Sequence, residues 1–314
     1  MQAGAKQTLL KANIDFRENQ SLKPFTSFKT ESIARIFVPV HSIQDLCKLQ
    51  KVIIENHFPF FFLGGGSNIL ISDKPIEEVV IYFELEEKVD ILEQSGSMLI
   101  VRGNANCRAP WFAKQVSAMG YTGLEFLTTI PGQLGGAVIQ NAGCYGYELT
   151  DSILNIGIIE GGQARLLDPA EADFGYRTSR FKTEPHLWIF CADFALESEN
   201  VETIEARIKD FSQRRLQSQP RNRRSAGSIF KNPPSAVSQF KAWQLIDKAG
   251  LRGVTKNDAE ISSEHCNFIV NRKNATADDI YYLLLLAEKT VKEKTGICLE
   301  REVIMVGDFS HVKL

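Results

Sequence analysis

The chain has 314 residues, 44% of them hydrophobic and 24% charged, and a formal net charge of −2. That is enough apolar material for sizeable cores in two or three domains. Near-neutrality gives no electrostatic reason to expect nucleic acid or a membrane surface as partner, and no apolar run approaches the roughly 20 residues of a membrane-spanning helix.

Residues 33–40 (IARIFVPV) are expected as a strand and 42–55 as a helix, with Ser42 as N-cap, Asp45 three residues on, and Ile43, Leu46, Leu49 and Ile53 on one face. A strand at 59–63 then runs into Gly64-Gly65-Gly66-Ser67-Asn68. Glycine visits positive φ and has no Cβ, so backbone N–H groups can close around an anion, and Ser67 and Asn68 add short hydrogen-bonding side chains. The loop is shaped for a phosphate or diphosphate. It is not a P-loop, which would end in Gly-Lys-Ser/Thr, and a dinucleotide fingerprint from Gly64 would need glycine at Ile69. Further strands near 78–84 and 98–102 complete a first third that alternates strand and helix.

Residues 130–146 hold five glycines and one proline in 17 residues, which suggests that 121–147 is a long loop. Its other residues are apolar, unlike those of a flexible linker, so the segment is expected to be buried and approached by a ligand or by another backbone. Strands near 155–160 and 188–196 follow, then a polar helix at 201–216 and a basic loop at 217–225, with a domain boundary near 200. The last third reads as helix 236–249, strand 267–271, helix 279–294 preceded by a Thr276/Asp279 capping box, and strand 301–306.

Three short clusters carry possible chemistry. Tyr176-Arg177-Thr178-Ser179-Arg180-Phe181-Lys182 suits an anionic ligand or a solvated basic face. Ser225–Pro233 places Ser228 in a constrained bend, but without a Gly-x-Ser-x-Gly elbow an acyl-transfer role is not indicated. In Leu299-Glu300-Arg301-Glu302-Val303, read as a strand, Glu300 and Glu302 share a face. The five histidines show no metal-ligand spacing. The six cysteines form no Cys-x-x-Cys, as expected of reduced thiols in a cytoplasmic protein. Asn274-Ala275-Thr276 has the form of a glycosylation acceptor, but no basic stretch followed by an apolar one precedes it as a secretory signal.

Taken together the clusters resemble one family, the UDP-N-acetylenolpyruvoylglucosamine reductases. The matching segments are LGGGSNILISD (63–73), GLEFLTTIPGQLGGAVIQNAGCYG (123–146), FGYRTSRFK (174–182), SAGSIFKNP (225–233), AWQLIDKAGLRG (242–253), NFIVNRKNATADDI (267–280) and LEREV (299–303), in the family's order over about 240 residues. The resemblance implies an α/β (α+β) chain with a vanillyl-alcohol-oxidase-type FAD-binding fold, its subdomains at 1–85 and 86–200, and a C-terminal α+β substrate domain at 201–314. It implies noncovalent FAD held by Gly64, Gly65, Gly66, Ser67 and Asn68 and by Ile130, Pro131, Gly132, Gly135, Gly136, Ala137, Asn141 and Gly143. NADPH is the implied reductant and a nucleotide sugar the substrate, handled by a monomer in peptidoglycan precursor synthesis. Arg177, Ser228 and Glu302 are the implied catalytic residues, with Tyr176, Lys231 and Asn232 on the substrate and no metal.

Three features depart from the family pattern. Gln133-Leu134 stands where Ser or Thr followed by Val is commoner, and Cys144 where Ala is commoner. Only the 50 residues 178–227 separate Arg177 from Ser228, as in members without a tyrosine-bearing substrate lid. Two other readings stay open on the sequence. A flavin-dependent oxidase of the same fold would explain 64–146 but not the Ser228 and Glu302 clusters. A non-catalytic binder of flavin or nucleotide sugar would leave Arg177, Ser228 and Glu302 together without a purpose.

Overall fold

The structure is a computed structural model that describes residues 2–220 and 224–314. Its helices are α1 (Gln2–Lys11), α2 (Ile43–Glu55), α3 (Ala109–Ala118), α4 (Leu134–Gln140), α5 (Val201–Ser218), α6 (Ala242–Lys248) and α7 (Ala277–Thr295). The strands are β1 (Arg17–Ser21), β2 (Ile33–Val40), β3 (Phe60–Phe62), β4 (Ile69–Ile71), β5 (Ile76–Phe83), β6 (Val89–Ser95), β7 (Met98–Asn104), β8 (Tyr121–Thr122), β9 (Gly143–Cys144), β10 (Tyr147–Glu148), β11 (Ile153–Glu160), β12 (Gln163–Leu167), β13 (Trp188–Ser198), β14 (Thr255–Lys256), β15 (Ala259–Ile261), β16 (Ile269–Asn271) and β17 (Ile304–Val306). They form two compact units, each discontinuous in sequence. The first is Met1–Arg17, Ile36–Gly65 and Glu78–Arg215; the second is Glu18–Arg35, Gly66–Glu77 and Leu216–Leu314.

The first unit contains two cores. In one, β3 pairs in parallel with β5, and α2 buries Leu46, Leu49 and Ile53. Ser42 caps this helix as expected, its hydroxyl accepting from the Asp45 N–H at 3.0 Å. The rings of Phe60 and Phe62 pack on Trp188 with centroids 5.0 and 4.9 Å apart. Gln50, buried in α2, donates to the carbonyls of Ile159 and His186 at 2.7 Å each, so its amide is satisfied where water cannot reach. The other core lies on an antiparallel sheet ordered β12-β11-β13-β7-β6, with β8 against β13. Helices α3 and α4 cover it, and Phe112 of α3 meets Phe194 of β13 at 5.6 Å.

The segment 121–147 is not a long loop. It contains α4, whose Leu134, Ala137 and Val138 at helical spacing are buried. Glycine-rich composition hid this helix, because burial of one short apolar stripe outweighs the weak helix propensity of glycine. Helix α1, helix α3 and strand β6 also lie outside the expected elements, although Pro110 in the first turn of α3 and Ala109, Phe112, Ala113 and Val116 at helical spacing mark that helix.

In the second unit α7 packs on the sheet β14-β15-β16, and β4 runs parallel to β17. The Thr276/Asp279 capping box starts α7 as expected. The helix expected at 236–249 begins only at Ala242, because a turn in which Val237 and Ser238 donate to the Pro234 carbonyl precedes it. The strand expected at 301–306 begins at Ile304. Glu300 and Glu302 therefore lie in irregular backbone, with a single bridge from Arg301 to Phe230. Part of the expected basic loop, 221–223, lies outside the described residues.

Candidate functional site

The glycine loop leaves β3 as its apolar run ends. In the first unit Gly65 faces Gly132 so closely that a Cβ on Gly65 would lie 2.9 Å from the Gly132 Cα. Only two glycines permit such an approach, and the result is a cradle of bare backbone. Along its rim Pro131 and Gly136 are exposed, and a Cβ built on Gly136 meets nothing within 4 Å. Gly135 and Ala137 point the other way. The Gly135 N–H donates to the Ala105 carbonyl at 2.8 Å and Ala137 is buried. Ile130 bonds back to Leu127 at 3.1 Å, closing the turn before the cradle.

Arg177 also lies in the first unit. It sits at φ +56° in a tight turn where Gly175 and Thr178 exchange N–H···O bonds of 3.1 Å. Its guanidinium donates to the carbonyls of Asn141, at 3.3 Å, and Gly143. The Lys182 ammonium donates to the Arg177 carbonyl at 2.5 Å, and the Ser179 hydroxyl to that of Ile139 at 2.7 Å. Tyr176 is 51% exposed, its ring 5.1 Å from the Arg177 guanidinium carbon. The sequence placed Asn141 and Gly143 with the cofactor loop and Arg177 with the substrate; the fold brings all three together.

Cys144, at one of the departures from the family pattern, donates to the Phe126 carbonyl. Burial pushes its thiol up from the ordinary value, and neither the Thr129 hydroxyl nor the charges of Arg215 and Arg177 fully offset that. Its surroundings therefore favour the thiol over the thiolate, and its side chain packs at the edge of the first-unit core.

In the second unit Gly66 continues the loop at φ +60°, with the Phe25 carbonyl where a Cβ would project. Ser27 donates to the Gly66 carbonyl through both its N–H and its hydroxyl, each at 3.0 Å. The Asn68 amide donates to the Glu302 carbonyl at 3.1 Å, and Ile304 donates to the Asn68 carbonyl at 3.0 Å. Glu302 in turn donates its N–H to the Ile229 carbonyl at 2.8 Å, next to Ser228. Buried Asn267 clamps the other side, bonding Ile229 and Phe230 through its main chain and side chain at 2.8–3.0 Å. Ser228 and Glu302, 74 residues apart in sequence, are thus held on adjoining backbone, both half-buried.

The remaining expected residues take supporting places. Lys231 donates to the exposed Glu300 carboxylate at 2.6 Å. The Asn232 side chain accepts the first N–H of α6 at 3.2 Å. Among the described residues no group of three or more His, Cys, Asp or Glu could hold a metal ion, and no helix is long and apolar enough to cross a membrane.

The residues present fit a dinucleotide's diphosphate. Backbone without side chains lines the cradle, and a single Cβ on Gly65 would fill it, so bare main chain is what faces an anion there. One N–H of the Asn68 side chain is committed to the Glu302 carbonyl.

Comparison with known proteins agrees with this geometry. Residues 34–163 match the FAD binding domain family, whose fold is of the vanillyl-alcohol-oxidase type, and residues 219–306 match the C-terminal domain of UDP-N-acetylenolpyruvoylglucosamine reductase. The UDP-N-acetylenolpyruvoylglucosamine reductase of Leptospira interrogans (serovar copenhageni) is 41% identical over 306 residues, 96% of this chain and 95% of that protein. Its counterpart from Carboxydothermus hydrogenoformans is 36% identical over 292 residues, 93% and 94% of the two chains. The crystal structure of UDP-N-acetylenolpyruvylglucosamine reductase from Thermus caldophilus superposes with a TM-score of 0.78 at 30% identity, covering 94% of this chain and 99% of that one. Both matched domains, relatives aligned along nearly the whole chain and a shared fold lead to one assignment: this chain belongs to the UDP-N-acetylenolpyruvoylglucosamine reductase family.

Proposed function

We propose that this chain is an NADPH-dependent FAD enzyme that reduces the enolpyruvyl group of UDP-N-acetylglucosamine enolpyruvate to UDP-N-acetylmuramate. It acts as a cytoplasmic monomer in peptidoglycan precursor synthesis, and so serves cell-wall biogenesis, cell shape and division. The observation that carries the reading is the backbone bond from Glu302 to Ile229, which sets Ser228 beside Glu302. An FAD oxidase of the same fold has no use for that pair.

FAD, when bound, would supply the hydride chemistry for the enolpyruvyl double bond, with NADPH as its reductant. The loops at 64–68 and 130–136 would hold its diphosphate through backbone N–H groups. Hydride addition builds negative charge on the neighbouring carboxylate. Arg177 pairs with that carboxylate through its planar fork, and the carbonyls of Asn141 and Gly143 fix the fork's direction. Ser228 gives the proton to the adjacent carbon. A serine hydroxyl is a weak acid, so the rigidity of its backbone, clamped by Asn267 and Glu302, is what keeps it in reach. Glu302 beside it holds the enolate-like charge through a proton or relays one to Ser228. Tyr176, Lys231 and Asn232 border the substrate.

The test is a two-step anaerobic experiment. NADPH should bleach the yellow protein, and UDP-N-acetylglucosamine enolpyruvate added afterwards should restore the colour with one equivalent of UDP-N-acetylmuramate formed. Bleaching by NADPH without recovery on addition of this substrate, while a simple alcohol drives oxygen consumption, would overturn the proposal in favour of an oxidase.

A further inference from the structure

Asn141 and Glu148 lie beside the Arg177 turn; Asn141 enters the mechanism above only through its carbonyl, and Glu148 has no part in it. Asn141 is 1% exposed and sits at φ +43°, at the C-terminal end of α4. Its side-chain nitrogen donates to the Glu148 carboxylate at 3.0 Å and to the Gly175 carbonyl at 3.2 Å. Its own carbonyl accepts from the Arg177 guanidinium. One residue therefore grips both the backbone that begins the Arg177 turn and the head of the Arg177 side chain.

Glu148 is the anchor of this grip. It is the cross-strand partner of Gly143, the other residue whose carbonyl receives the guanidinium. Its N–H donates to Asp151 at 2.9 Å, and its side chain accepts from the Asp151 backbone in a reciprocal capping box. The carboxylate is thus fixed at both ends of a short hairpin, and the Asn141 amide links it to a residue whose carbonyl receives Arg177. Carbonyl oxygens are directional acceptors, so they aim the guanidinium fork. The left-handed backbone at both Asn141 and Arg177 is maintained by surroundings that over-determine it.

We infer that Glu148, acting through Asn141, is a positioning residue for Arg177: it sets the direction in which the guanidinium meets the substrate carboxylate. The inference rests on the proposed pairing of Arg177 with that carboxylate. It assigns Glu148 no contact with substrate or flavin.

The experiment separates the two half-reactions in the FAD-loaded protein by stopped flow. Glu148→Ala should retain its flavin, melt as a folded protein and be bleached by NADPH within about twofold of the parent rate. Its reoxidation by UDP-N-acetylglucosamine enolpyruvate should slow by about 10²-fold, the cost of misplacing a reacting group by about 1 Å. Glu148→Gln keeps an acceptor for the Asn141 amide and should recover most of that rate. Calorimetric titration with UDP-N-acetylmuramate should show weaker binding to Glu148→Ala and near-normal binding to Glu148→Gln. Arg177→Lys is the control, and adding Glu148→Ala to it should slow reoxidation little further. If Arg177→Lys is slow and Glu148→Ala is not, the inference fails while the role of Arg177 stands. If Arg177→Lys reoxidises normally, the role of Arg177 fails first. Equal loss in both half-reactions would make Glu148 merely structural, and if Glu148→Ala does not fold, Glu148→Asp must show the same selective loss.

Discussion

The side-chain amide of Asn68 donates to the carbonyl of Glu302 at 3.1 Å, tying the glycine loop to a segment 234 residues further along the chain. A loop that reads in sequence as a phosphate cradle is therefore also the support of a proposed catalytic carboxylate. The same short segment places the exposed Glu300 elsewhere, on the half-buried ammonium of Lys231 at 2.6 Å.

That difference separates the two glutamates experimentally. Glu302→Gln keeps the size of the side chain and the main-chain bonds to Ile229 and Asn68, so it tests charge and proton chemistry without opening a cavity. Steady-state turnover with saturating NADPH should fall about 10²–10³-fold, as when one preorganised stabilising group is lost. Glu300→Gln removes only the charge of the solvent-exposed member of this pair and should change turnover less than threefold, since ion pairs of an exposed carboxylate contribute little. A larger loss in Glu300→Gln than in Glu302→Gln would assign the chemistry to the wrong residue.

Ser228 is needed after hydride transfer and not before it. Ser228→Ala should leave NADPH-driven bleaching of the flavin nearly intact, while overall turnover drops by about 10²–10⁴, the range for lost general-acid catalysis. Slow bleaching in this variant, or turnover close to the parent's, would remove Ser228 from the role.

FAD should be held without a covalent bond. Cys144 is the thiol nearest the Asn141–Gly143 segment in sequence, and burial keeps it protonated. Unfolding the yellow protein and passing it through a filter should send all the flavin into the filtrate. Colour retained by the polypeptide, or a purified protein with no flavin spectrum, contradicts this.

Acid stability should depend on Glu125. It is 3% exposed and accepts from the Thr122 hydroxyl and the Gly123 N–H at 2.7 Å each, with Arg207 alongside. Burial alone would raise its carboxyl, but these donors and the Arg207 charge hold it below the ordinary carboxylate range. A depressed carboxylate stabilises the fold above its unfolded value of about 4.3 and loses that contribution as pH falls through the folded value. Glu125→Gln should therefore be less stable than the parent by about 1–3 kcal/mol at pH 7. In urea titrations from pH 7 to pH 3 the gap should narrow only below about pH 4.3, and a gap that stays constant would refute the linkage.

Local chemistry wrote several features of this protein directly into its sequence. The Ser42 and Thr276 caps, the turn of consecutive glycines after a Phe-rich strand and the stripe along α7 all depend on residues within one or two helical turns of each other, so spacing alone reveals them. The family resemblance added names for Arg177, Ser228 and Glu302, but no physical reason for their positions. Tertiary structure decided the rest. It turned the glycine-rich 121–147 segment into a helix and a hairpin, because burial of a single short stripe outweighs propensity. It directed the Asn68 amide to Glu302, set Glu302 beside Ser228, and placed Glu148 under Arg177 through Asn141. Each of these depends on hydrogen bonds between segments that are distant in sequence or reversed by a turn. Such bonds form only once the apolar cores have fixed the backbone that carries their donors and acceptors.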